Sequence, residues 1–142
     1  MSIVNRLGYL TAAKALPSTL SDGTLITGAV IDRLGYQSGL LVFSFEAASG
    51  TPSAATASLL IEHGDAANLS DAATFATFET AKNISAAGIA QYNIDFTKAK
   101  RYVRIKEDTT YTGGTTPANQ LAANLILFDK DVASDTSTVY GR

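Results

Sequence analysis

From residue 24 to residue 128 the apolar side chains of this chain recur at every second position, in runs of strand length separated by turn residues. A period of two sends alternate side chains to opposite faces, so each run reads as a strand with one buried face. The clearest run is 40–46, where Leu41, Phe43 and Phe45 share one face and Leu40, Val42, Ser44 and Glu46 the other. Its beginning is apolar on both faces, which predicts a central place in a sheet. Six further runs follow the same logic: 24–31 after the turn pair Asp22-Gly23, then 57–62, 74–81, 89–96, 102–107 and 120–128. Residues 66–73 read as a loop with at most one helical turn, and 108–119 as a long loop around Gly113-Gly114 and Pro117. No run of helical length and no strand–helix alternation is present. The pattern predicts an all-β fold, a single antiparallel β-sandwich of jelly-roll type. Its core is expected to hold Phe43, Phe45, Leu59, Ile61, Ile94, Phe96, Val103, Ile105, Leu125 and Leu127.

The 142 residues suffice for one domain with its own core. Ala, Ser, Thr and Gly are abundant, and six Tyr and six Phe supply most of the bulk. The ends depart from the strand pattern. Residues 1–22 are expected to form an N-terminal arm, 23–128 the sandwich, and 129–142 a polar C-terminal tail. Within the arm, Ile3, Leu7 and Leu10 fall at helical spacing and no acid precedes Asp22, but Gly8 and Pro17 break a targeting helix. Ile3, Val4, Leu7, Tyr9 and Leu10 are too many apolar groups to leave in water, so the arm is expected to pack on a partner. With the strands thought to begin near Thr24, removal of residues 1–16 should leave the sandwich folded.

Composition narrows the function classes. There is no cysteine, which excludes disulfides, thiolate metal sites and cysteine nucleophiles. A net charge of −2 and a pI near 5.2 give no basic field for nucleic acid. No apolar run reaches the roughly 18 residues of a membrane-spanning helix. The one histidine, His63, has Ser70 and Asp71 downstream, but no Gly-x-Ser-x-Gly elbow supports a nucleophile. The acidic groups Asp65/Asp71 and Asp129/Asp131/Asp135 do not follow calcium-loop spacing. Gly113-Gly114 lacks the Lys-Ser/Thr of a phosphate loop. No catalysis, metal or cofactor is therefore expected. Lys98, Lys100, Arg101, Arg104 and Lys106 form a basic strip in which Tyr102, Arg104 and Lys106 share one strand face. That face suits a cross-strand charge ladder or a protein contact.

The stretch Val30-Ile31-Asp32-Arg33-Leu34-Gly35-Tyr36-Gln37-Ser38 forms a corner leading into the apolar strand at 40–45. It is followed by Leu59-Leu60-Ile61-Glu62 with Gly64-Asp65, and later by Arg101-Tyr102-Val103-Arg104. Over residues 24–128 this series resembles the small β-sandwich, capsid-associated proteins of tailed bacteriophages, of the decoration or cement kind. The resemblance implies a virion structural protein that binds the major capsid protein at the capsid surface, after assembly in the host cytoplasm. It would act as a dimer or trimer, without enzymatic activity. Partner contact is then expected at Ile3, Val4, Leu7, Tyr9, Leu10, Tyr102, Arg104 and Lys106. Two alternatives remain: a carbohydrate-binding sandwich of an adhesion protein using Tyr9, Tyr111 and Tyr140, and a head–tail or tail structural protein.

Overall fold

The computed structural model of the protein describes residues 10–130. It contains nine strands: β1 (Thr11–Ser21), β2 (Ile26–Thr27), β3 (Ile31–Asp32), β4 (Tyr36–Phe45), β5 (Ala54–Gly64), β6 (Ala73–Asn83), β7 (Gly88–Asp95), β8 (Tyr102–Thr112) and β9 (Asn119–Lys130). One sheet has the order β1-β9-β4-β7; the other has β2-β8-β5-β6, with β3 also on β8. Every pairing is antiparallel. Counting β2 and β3 as one interrupted strand, the chain crosses between the sheets at each step except the β5–β6 hairpin. That path is a two-sheet jelly roll, as the alternation predicts.

The core lies between the sheets. All ten expected core residues are buried, with Phe43, Phe96, Ile61, Val103, Ile105 and Leu125 fully enclosed. The phase is set by register. In one sheet Leu41 stands beside Leu125 and Phe43 beside Ala123; in the other Ile61 stands beside Ile105. Because paired residues share a face, one inward residue fixes its neighbours' direction across the sheet. Small inward residues (Ala15, Ala55, Ala57, Ala123) let the sheets approach around the phenyl rings.

Four features differ from the sequence expectation. Residues 11–21, expected within the arm, form β1 and pair with β9. Ala15 and Leu16 are buried, so truncation to residue 16 would remove core. The strand hides in the sequence because two register shifts, between Lys14 and Leu16 and between Leu16 and Thr19, change its inward phase. The strand expected at 24–31 is split at Gly28. There the Gly28 N–H donates to Ile105 O of β8, and the next N–H, of Ala29, to Ala15 O of β1. The segment thus bridges the side of the sandwich. A Cβ on Gly28 would meet Ala15 O at 2.1 Å, so only glycine fits. Finally, residues 108–112, expected as loop, extend β8: Thr109 pairs with Ala57 and Tyr111 with Ala55. The expected tail likewise starts late, since β9 runs on to Lys130.

Candidate functional site

The basic strip of β8 is the first surface to examine. Tyr102, Arg104 and Lys106 do project from the outer face, half-buried. Opposite them stands Glu62 of β5, in register with Arg104. The Arg104 Nε donates to Glu62 Oε2 at 2.7 Å and the Lys106 Nζ to Oε1 at 3.4 Å. Burial opposes ionisation of Glu62, but the hydrogen bonds and charges of Arg104 and Lys106 outweigh it and hold the carboxyl below its usual range. The rest of the strip is neutralised as well. Arg101 pairs with Asp32 at 2.8 Å and lies over the Tyr102 ring, and Lys100 reaches Asp65 at 3.0 Å and Asp71 at 3.7 Å. Around Glu62 the strip is a cross-strand charge ladder; Lys100 and Arg101 are paired beside it, and Lys98 has no ion pair among the described residues.

The corner at 32–36 serves the fold. Gly35 takes a positive φ of 86° in the turn. Arg33 reaches across to the loop after β7 and donates to the carbonyls of Lys100 (2.7 Å), Tyr36 (3.0 Å) and Ala99, with its guanidinium over the Phe96 ring. One side chain thereby satisfies three carbonyls of an otherwise irregular segment.

The structure gives His63, Ser70 and Asp71 different partners. His63 Nδ1 accepts the Lys100 backbone N–H at 3.1 Å, and its ring lies against Phe75. Asp71 accepts the backbone N–H groups of Asp65 and Ala66, which lower its pKa. The Ser70 N–H donates to Asn68. Asp71 shapes the β5–β6 turn, His63 ties β5 to the loop before β8, and the two side chains do not meet in a triad with Ser70. Lys100 sits between Asp65 and Asp71 where a calcium ion would have to be. Asp131 and Asp135 lie outside the described residues, as do Ile3, Val4, Leu7, Tyr9 and Tyr140. Leu10 is exposed at 44%. Tyr111 is half-buried and donates its hydroxyl to Ser21 O at 2.9 Å, so its ring is not a free stacking platform.

Two features escaped the sequence reading. The first is the outer face of the other sheet. Over the middle of β4 and β9, positions 38–44 and 122–128, the outward side chains are Ser38, Leu40, Val42, Ser44, Ala122, Asn124, Ile126 and Phe128, none of them charged. β7 continues the face with Ile89, Gln91 and Asn93; charge returns at the margins, with Lys14 on β1 and Asp95 on β7. The signal was the two-faced apolarity of residues 40–42, read there only as a mark of central position. The second is Glu107, fully buried on the inward phase of β8 after Val103 and Ile105. Thr109 donates to Glu107 Oε1, and Ser21 donates to Thr109 at 2.9 Å; Oε2 has no partner among the described residues. Burial pushes the carboxyl up to about 7, the Thr109 bond opposing and Asp108 adding to the shift.

No protein-family model matches the chain, and no curated protein matches it in sequence. Solved structures match in fold. The chain is similar to VP2 of the infectious bursal disease virus subviral particle, with 11% identity and a TM-score of 0.60 over 86% of this chain. It is also similar to a protein of the T13 particle of the same virus, with 13% identity and a TM-score of 0.55 over 84%. A third match is the PBSX exported protein XepA, with 16% identity and a TM-score of 0.54 over 83%. The chain spans about a third of the length of each: 33%, 30% and 37%.

Proposed function

We propose that this chain is a virion structural protein of a tailed bacteriophage that binds and stabilises the major capsid shell, as a decoration or cement protein does. The observation that carries the reading is the charge-free centre of the outer face of the β1-β9-β4-β7 sheet, on β4 and β9 between Lys14 of β1 and Asp95 of β7. A face built of Leu40, Val42, Ile126 and Phe128 among serines and amides matches the charge-poor centre of protein contacts. The jelly-roll path supports it, since that fold serves viral capsid domains, and so does its similarity to VP2 of a viral particle. Fold alone would be compatible with many functions.

The mechanism is mechanical. The rigid sandwich lies across junctions between capsid subunits and buries apolar area there. A standard contact of about 1,600 Å², repeated over the shell, slows local opening of the lattice. Residues 1–9, with Ile3, Val4, Leu7 and Tyr9, would add contacts, whereas Tyr102, Arg104 and Lys106 lie on the outer face of the opposite sheet and would stay in solvent. The protein works without a cofactor or catalytic step.

The test adds purified protein to phage heads that lack it and measures occupancy and shell melting temperature. Saturable occupancy with a higher melting temperature is expected. Heads that take up none of the protein would overturn the capsid reading.

A further inference from the structure

A jelly roll leaves four strand edges, each a row of unpaired main-chain groups that can template another strand. In this molecule three of the four are guarded. β1 carries two register shifts and Pro17, and Ala29 bonds to it at Ala15. The β8 edge is capped by β2, β3 and the Gly28 N–H. β6 pairs with β5 through three register shifts and carries Glu79 and Lys82. Among the described residues β7 has none of these devices. It pairs with β4 without a break from Gly88 to Asp95, and it contains no proline, no lysine and no bulge. Its outward side chains Ile89, Gln91, Asn93 and Asp95 are exposed, Ile89 at 66%.

We propose that β7 pairs with the β7 of a second copy, antiparallel across a two-fold axis, joining two four-stranded sheets into one. The occupant follows from the strand itself. Paired residues in an antiparallel ladder share a face, so the axis must pass through a residue. An axis through Tyr92 sets Gln91 against Asn93 and Ile89 against Asp95. An axis through Gln91 sets that amide against its own copy and Asn93 against Ile89. Asp95 is the sole charged side chain of β7, so neither register opposes like charges. Two-fold pairing also uses up both free edges and therefore closes, where head-to-tail pairing would polymerise. The joined sheet would make one continuous outer surface of the two uncharged faces. This pairing gives a geometry to the dimer or trimer expected from the sequence and does not depend on the capsid.

The absence of cysteine makes the test direct. In the full chain, the double variant Gln91→Cys/Asn93→Cys should give a covalent dimer on mild oxidation, and Lys82→Cys on β6 should not. Amide exchange along β7 should slow with protein concentration by about tenfold or more. Gln91→Lys/Asn93→Lys sets cations face to face, and should be monomeric with the melting temperature that the wild-type protein shows at high dilution. The pairing is overturned by β7 amides that exchange freely at every concentration. Protection that ignores concentration and disappears on removing residues 1–9 or 131–142 overturns it too, because the chain would then cover its own edge. Cross-linking through Lys82→Cys instead places the contact on β6 and also overturns it. Heads that reject the protein sink the capsid reading and leave this dimer standing.

Discussion

On the β5–β8 side Glu62 meets Arg104 and Lys106 and closes the outer face upon itself; on the β4–β9 side Leu40, Val42, Ile126 and Phe128 face outward with no charge among them. The inward faces of the two sheets are both largely aliphatic, with Phe43 and Phe45 on one and Glu107 and Thr109 set into the other. Strands of one amphipathic design thus carry opposite exteriors. An ion-paired surface has its charges committed and its water retained. An uncharged surface costs little to desolvate. The difference marks which side is built to be left in solvent and which to be covered.

The largest effect should come from the shared interior. Phe43→Ala removes a fully buried ring beside Phe45 and is expected to cost about 3–5 kcal/mol, read from denaturant unfolding. A loss under half a kcal/mol would mean that the two sheets do not depend on one core. Glu107 comes next. A glutamate whose folded pKa is raised stabilises the fold fully below the ordinary value near 4.5, and that contribution is lost as pH rises through about 7. Stability should fall across that window by roughly 3 kcal/mol, and Glu107→Gln should flatten the curve. A wild-type curve already flat from pH 5 to 8 would refute it.

Glu62→Gln should cost about 1–2 kcal/mol, because Arg104 and Lys106 are partly buried and would lose their counter-charge. The sign opposes that of Glu107. A lowered carboxyl pKa stabilises above the ordinary value, and the contribution is lost as pH falls through the folded pKa. The wild-type protein should therefore lose more stability in acid than the variant. The smallest effect on stability belongs to the uncharged face. Asn124→Lys, exposed between Val42 and Lys14, should change unfolding by less than about 0.5 kcal/mol. It should abolish uptake onto phage heads. Undiminished uptake would remove the β4–β9 face from the contact.

Where a strand kept strict phase, its sequence was enough. Leu41, Phe43 and Phe45, like Leu121, Ala123, Leu125 and Leu127, point inward as their spacing implies. β1 was illegible because its bulges reset the phase within eleven residues and its inward positions are mostly alanine. β8 runs past Glu107, where Gly113-Gly114 and Pro117 make the sequence read as loop; the phase of Val103 and Ile105 assigns Glu107 to the interior, where Thr109 meets it. The expected contact residues Tyr102, Arg104 and Lys106 were correctly put on one face, but their partner Glu62 lies 42 positions away from Arg104 and only register brings it there. The uncharged face was invisible for the same reason: its residues come from β4, β9 and β7, and no local pattern joins them.

The place of β9 between β1 and β4 has a consequence for biosynthesis. The strand that fills the middle of its sheet is the last of the described strands to leave the ribosome, and β4 waits for it through more than seventy residues of chain. At roughly 5–20 residues per second that is on the order of 4–15 seconds. Through this interval Leu40–Phe45, apolar on both faces at its start, has β9's side of its ladder open, and β1 has no partner strand at all. Closure over such a separation is slow by its topology. A nascent chain that stalls before residue 119 would offer other copies an apolar strand to pair with, so a chaperone that holds β4 until β9 emerges should raise the yield of folded protein.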